Sequence, residues 1–480
     1  MKPFLLVCLL LAQLTQAQTI DTIRVQPGQR ILIEVAKPVP TPIPDTVVIE
    51  PPVPTPKDSV VVSPLPSRDT VVIVKPVPKP WVPKVIISKS GQYDLAKMGV
   101  LPGDTVGIQG GNYTFLKILN AVGTAAKPVV FRNYQGVVRH RSNTANQANF
   151  TFEGCDQIVI AGDGVDSIKY GIRLAAQYKD VSALVLSGFT KNVEVHHVEV
   201  DSAGFAGLMA KTDPTDDVRT QRGNFDMGRV YLHHNYIHNV RGEGFYVGSS
   251  FMNSGVRRTR RVAGKEEVYY LYPHYISSLE IAYNITDSTG CEGIQYSCSP
   301  GARVHDNRVS NSGLSPFAAN QNNGVQIGGL SSGAFYDNEI RNSSGIGLII
   351  VGHGGDLEIR NVLIENSGKG NVAAKFPEMP GVFIDERKDP SGFGTVPATN
   401  VRFINVTIKN SQVDAVRLYN ETQTTYFVNC VFDGFSRFQI DRSPKTVPFS
   451  VTNSHVGPVS EAPSGVGYQP YIYPTNTFRR

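Results

Sequence analysis

Glu243 and Glu292 each stand directly before a glycine, Gly244 and Gly293, in segments that otherwise read alike. Carboxyl groups at matching positions of stacked repeats would lie about 5 Å apart, raise one another's pKa, and resemble the pair of a retaining glycosidase. The bland reading is a turn–strand boundary where the two glutamates bind backbone or Ca²⁺. Lys211, Arg387, Lys388 and Arg417 lie on or beside the strands that follow such glycines. A basic residue there could take a proton alpha to a carboxylate, or stabilise the anion that forms. Asp213, Asp216 and Asp217, with Asp226, form an acidic insertion. Hard cations such as Ca²⁺ need several oxygen ligands, although the spacing matches no EF-hand loop and an exposed acidic turn is the simpler reading. No cofactor is otherwise called for.

A second insertion carries Arg257, Arg258, Arg260, Arg261 and Lys265, followed by Tyr269, Tyr270 and Tyr272. Guanidinium forks match carboxylate and sulfate groups, and they suit an anionic partner. Glu266 and Glu267 neutralise part of that charge, so a solvated basic loop is the alternative. The net charge is only +5, which argues against a nucleic-acid binder.

These residues must be positioned by something other than helices. Of 480 residues only 18% are charged, while 45 are Gly and 32 are Pro. Short β-branched runs, Gly and Asn dominate from Val85 onward, and they repeat. Val230-Tyr-Leu-His-His-Asn235 leads to Gly244-Phe-Tyr-Val-Gly248, and Leu279-Glu-Ile-Ala-Tyr-Asn284 leads to Gly293-Ile-Gln-Tyr-Ser297. Val304-His-Asp-Asn307 leads to Gly324-Val-Gln-Ile-Gly328, and Phe335-Tyr-Asp-Asn338 leads to Gly347-Leu-Ile-Ile-Val351. Further copies run through Asn361, Asn405 and Asn429. Each unit is three short strands that cannot bury their apolar face alone, so the units must stack. Asn235, Asn284, Asn307, Asn338, Asn361, Asn405 and Asn429 are expected to form one stacked column at a tight turn.

These repeats resemble the right-handed parallel β-helix of the pectate-lyase-like type over residues 85–456. The opening segment adds to the likeness: Pro102-Gly-Asp-Thr-Val106, Gly110-Gly-Asn-Tyr113 and Lys127-Pro-Val-Val-Phe-Arg-Asn133 are similar to the first coils of secreted polysaccharide lyases. The expected fold class is therefore all-β, a single-stranded right-handed parallel β-helix preceded by a Pro-rich linker. In that family the strand after the glycine column floors a groove that binds polysaccharide. Period-two alternation points Leu208, Phe245, Ile294, Val325, Leu348, Val382 and Val416 inward. It points Met209, Lys211, Tyr246, Gln295, Gln326, Phe383, Asp385, Arg417 and Tyr419 outward. Tyr246, Gln295, Gln326, Asp385, Arg417, Arg257, Arg258 and Tyr270 are the candidate substrate-binding residues, against the alternative of an ordinary solvated strand face. Long insertions at 211–229, 249–277 and 385–399 follow the floor strand, and those at 312–323 and 367–380 precede it. His353, in Gly352-His353-Gly354, is similar to a polygalacturonase motif, but the Asp-Asp, Asn-Thr-Asp and Arg-Ile-Lys motifs of that family are absent. His353 is expected to be a turn residue.

Residues 1–17 read as a signal peptide, with Lys2, an apolar run and small residues ending at Ala17. Residues 18–37 form a short segment. Residues 38–84 form a linker or stalk holding about 14 Pro, a density that favours extended polyproline. Residues 457–480 form a tail. A secreted monomer without a membrane span follows, and Cys155, Cys291, Cys298 and Cys430 are too few for a disulfide framework. Two functions fit. One is a secreted carbohydrate-active protein acting on an acidic polysaccharide by β-elimination or hydrolysis. The other is a non-catalytic surface β-helix that binds glycans or a surface partner.

Overall fold

The structure, a computed structural model, describes residues 81–142, 150–317, 321–368, 379–386 and 399–470. The expected signal peptide and nearly all of the Pro-rich segment lie outside the described residues. From Val85–Ile87 to His455–Val456 the described chain is a succession of parallel strands, interrupted by one antiparallel hairpin. Two sheets account for the coils. One has 23 strands and the other twelve, the latter drawing one strand from each coil. A typical coil runs Arg229–His233, Tyr236–His238, then Phe245–Val247. The first two strands join the larger sheet and the third joins the smaller, and the next coil repeats the arrangement in register. The chain is a right-handed parallel β-helix.

The pleat explains why these residues form strands. Phe245, Ile294, Val325, Leu348, Val382 and Val416 lie at one register position and are buried. On the larger sheet Phe335, Ile359, Phe403 and Phe427 stack likewise, with the Phe403 and Phe427 rings 5.0 Å apart. Each such side chain contributes roughly 1.5–3 kcal/mol through burial, and no single coil could supply the neighbours. The column glycines have a steric reason. A Cβ on Gly244 would sit 2.4 Å from Gly293 O, and one on Gly324 would sit 2.3 Å from Ile340 Cγ2. The turn before the floor strand is thus pressed onto its neighbours.

The asparagine column divides in two. Asn235, Asn284, Asn307 and Asn338 form a buried ladder, each Nδ2 donating to the next Oδ1 at 3.0 Å. Asn361, Asn405 and Asn429 do not continue it. Strand register aligns them with His234, Tyr283, Asp306 and Asp337, one residue earlier. That position has φ near +55° in every coil, from His234 (φ 54°) to Asn429 (φ 53°). The buried ladder site passes instead to Val362, Val406 and Cys430. Asparagine satisfies both positions, as an amide that pairs internally and as a residue that tolerates left-handed backbone. All four cysteines described are free and buried.

Candidate functional site

Along the floor sheet the outward register position is held by Met209, Tyr246, Gln295, Gln326, Ile349, Phe383, Arg417 and Asp441 in successive coils. Polar and aromatic groups therefore do line one face. They are not all open. Tyr246 is 8% exposed and Gln295 2%, because the insertion after Phe245–Val247 turns back over them. Ser250 Oγ lies 2.9 Å from Tyr246 Oη and accepts from Gln295 Nε2 at 2.8 Å. Phe205 packs edge-on against Tyr246 from the preceding coil.

Lys211 leaves the end of strand Leu208–Ala210 and reaches the same place. Its Nζ lies 2.9 Å from Asp213 Oδ1 and 4.7 Å from the centre of the Tyr246 ring. Burial works against its charge, but Tyr246 and Asp213 outweigh that and hold the ammonium above its ordinary value. Lys211 is therefore a fixed cation, better suited to meeting an anion than to removing a proton.

Glu243 and Glu292 sit one rung apart beneath this surface. Gly207 N donates to Glu243 O, and Gly244 N to Glu292 O, each at 2.9 Å. A carboxylate oxygen of each, together with Cys291 Sγ, lies within 4.8 Å of the others. Asn323 Nδ2 donates to Glu292 Oε1 at 2.7 Å. Burial pushes Glu243 up to about 7, with Lys211 pulling the other way. Burial and then the charge of Glu243 push Glu292 up to about 8. Carboxyl groups this close and this dry cannot both ionise, so the pair holds a proton at neutral pH. At 2% and 0% exposure, they leave no room for a sugar ring between them.

The remaining candidates are dispersed. Asp213, Asp216 and Asp217 do not converge on a cation site. Asp213 is bound to Lys211, Asp216 accepts from Tyr269 Oη at 2.6 Å, and Asp217 pairs with Arg219 and caps the turn Val218–Thr220. Arg257, Arg258 and Tyr270 lie on an antiparallel hairpin, Val256–Val262 with Lys265–Leu271. Arg257 and Arg258 are exposed there, and Arg260 pairs with Glu267 at 2.9 Å. Arg417 is engaged with Asp414 at 2.7 Å and Asp441 at 3.4 Å. Asp385 accepts from Asn420 Nδ2 at 2.9 Å. Gln326 stays half-buried on the floor. His353 is a buried turn residue, 2.9 Å from Thr399 Oγ1 and 3.4 Å from Glu421 Oε2. Arg387 and Lys388 lie outside the described residues. Sequence reasoning missed Ser250, Asn323 and Cys291. Only the repeat position of Cys291, just before Glu292, could have flagged one of them.

No known protein family matches the chain, and no curated protein matches it. Among solved structures it is similar to a lacto-N-biosidase from Eubacterium ramulus, at 10% identity and a TM-score of 0.46, over 74% of this chain and 62% of that one. The chain thus spans less than two thirds of that enzyme's length. It is also similar to a variant of a periplasmic alginate epimerase, at 10% identity and a TM-score of 0.40, over 77% and 85% of the two chains. A third similar structure is the A-module of a mannuronan C-5 epimerase from Azotobacter vinelandii, at 13% identity and a TM-score of 0.33, over 75% and 90%.

Proposed function

We propose that this is a secreted, monomeric carbohydrate-active β-helix protein that works on an acidic polysaccharide, with its site on the floor sheet around Lys211, Tyr246 and Gln295. The observation that carries the reading is the Lys211 ammonium, set on the Tyr246 ring of the floor sheet. The cation suits a uronate carboxylate, whose charge grows when the neighbouring proton leaves. Elimination fits this arrangement better than hydrolysis, because a glycosidase pair must flank the scissile bond and Glu243 and Glu292 are both buried. Arg387 is the proposed base. The exposed guanidinium groups of Arg257 and Arg258 are proposed to hold an anionic chain beyond the floor, and Gln326, Asp385 and Arg417 to contact it along the coils.

The second reading is a glycan-binding protein without chemistry. It is favoured by Ser250, which ties down both Tyr246 and Gln295 and closes the floor at two rungs. The experiment is incubation of the full chain with a panel of uronic-acid polysaccharides, with and without Ca²⁺, followed by the ultraviolet absorbance of unsaturated ends. A rise that is lost in Lys211→Ala establishes elimination. No rise and no new reducing ends, with the glycan still retarded in affinity electrophoresis, establishes the second reading.

A further inference from the structure

The larger sheet carries a cluster of imidazoles that the floor site does not use. His196 and His233 occupy one register position in adjacent coils, between Ala161 and Ala282. Their rings stack with centres 4.8 Å apart. Each is followed by a second histidine at the left-handed turn, His197 (φ 55°) and His234 (φ 54°), and these stack 5.5 Å apart. Within each coil the pair is joined through Nδ1 atoms, His196 to His197 and His233 to His234, both at 2.8 Å. Glu194, two residues before His196, places Oε1 3.2 Å from His233 Nε2.

We propose that Glu194, His196 and His233 form a binding site for a divalent first-row transition ion of the zinc type. One ligand atom from each lies within 4.8 Å of the others. Nitrogen and carboxylate bonds to zinc are about 2.0–2.2 Å in a tetrahedral site, so neighbouring ligands stand roughly 3.4 Å apart and the side chains need close by at most about 1.5 Å. The donor set of two imidazoles and one carboxylate suits a borderline ion and not calcium, which takes oxygen ligands. The Nδ1 bonds to His197 and His234 occupy the inner nitrogen of each ring and leave Nε2 for the metal, the usual way in which an outer partner orients a ligating histidine. The side chains of His233 and Glu194 remain 13% and 25% exposed, which gives an ion a way in. Asp163 offers a second set with His196 and His197. Its Oδ2 accepts from Arg132 at 3.3 Å and its Oδ1 faces Arg132 Nε at ion-pair distance, 3.0 Å, whereas Glu194 gives Oε2 to Arg229 and turns Oε1 to His233 Nε2. The Glu194 set is therefore the site.

The test is calorimetric titration of the untagged, metal-free full chain with Zn²⁺, and with Ca²⁺ in parallel, supported by the visible spectrum of bound Co²⁺. One Zn²⁺ per chain is expected, no Ca²⁺ at this site, and a Co²⁺ spectrum that shows nitrogen ligation. His196→Asn with His233→Asn should weaken Zn²⁺ binding at least a hundredfold, and Glu194→Gln at least tenfold. Asp163→Asn should leave it unchanged. Glu194→Gln keeps the shape and one acceptor oxygen, so it reports ligation even if the double histidine variant fails to fold. Absence of stoichiometric Zn²⁺ binding, or unchanged binding in Glu194→Gln, overturns the proposal. Loss in Asp163→Asn alone overturns the ligand set.

Discussion

Glu292 is the residue at which stability and protonation are most tightly joined. Its pKa rises from the ordinary 4.5 to about 8 in the folded chain. The folded state therefore binds more protons than the unfolded state across that window. Stability contributed by this group is present below about pH 4.5 and is lost as pH rises toward 8. Glu292→Gln keeps an acceptor for Asn323 and cannot ionise. It is expected to flatten the fall in melting temperature between those limits and to melt several degrees above the parent at the upper one, read by thermal melts across pH. His196 and His234 act in the opposite sense. Their depressed values favour the neutral form, so they cost stability as pH falls below the ordinary 6.5 toward about 4. At Lys211 the expected outcome is a split. Lys211→Ala should abolish activity on uronic-acid polysaccharides, and Lys211→Arg should restore part of it, measured as the rate of unsaturated-end formation.

At the scale of the element, the turn between the two strands of the larger sheet does the organising. Asn284 accepts from Asn235 N and Nδ2 through one oxygen and donates to Leu232 O and Asn307 Oδ1 through one nitrogen. Asn284→Ala orphans buried partners on both sides and should cost about 3 kcal/mol. Asn405→Gly, at a left-handed position (φ 55°), should stay within about 1 kcal/mol. Denaturant unfolding of the two variants measures the difference. That contrast also marks how far the sequence was legible. The repeat, the inward residues of each floor strand and the matching positions of Glu243 and Glu292 follow from period two and the glycine column. The split of the asparagines does not, because a one-residue offset between a buried and a left-handed site is invisible when the same residue type suits both. The histidine cluster was missed for a related reason. A His-His pair occurs at the same place in two consecutive copies, but its meaning depends on rungs meeting side by side and on Glu194 reaching across a diagonal. Burial of Tyr246 and Gln295 depended on the path of an insertion, which local periodicity does not specify. The hairpin Val256–Val262 and Lys265–Leu271 yields a further expectation. Arg257→Ala with Arg258→Ala should leave the melting temperature within about a degree or two, as exposed substitutions do. It should weaken retention of anionic glycans several-fold at low salt, with the difference vanishing at high salt.

Across the whole molecule, stability is a sum over coils and the contacts between neighbours, so the ends matter most. The last coils are the more exposed end. Phe449, Val451 and Val456 are surface residues, on strands beyond which no further coil is found among the described residues. The chain then turns back along the stack. Gly467 N donates to Asn429 O, Tyr468 N to Thr407 Oγ1, Gln469 N to Asn361 Oδ1, and Tyr468 Oη to Glu339 Oε1. These partners belong to four successive coils. A stack held only by nearest neighbours would peel from its free end one layer at a time. Here a cord is tied across the four coils that precede the last one, so a protease or a pulling force must first cut or strip the cord before those layers can lift. A chain ending at Val466 should accordingly be nicked at its last coils while its first coils stay intact, a pattern that limited proteolysis would record as a ladder of fragments shortened from one side.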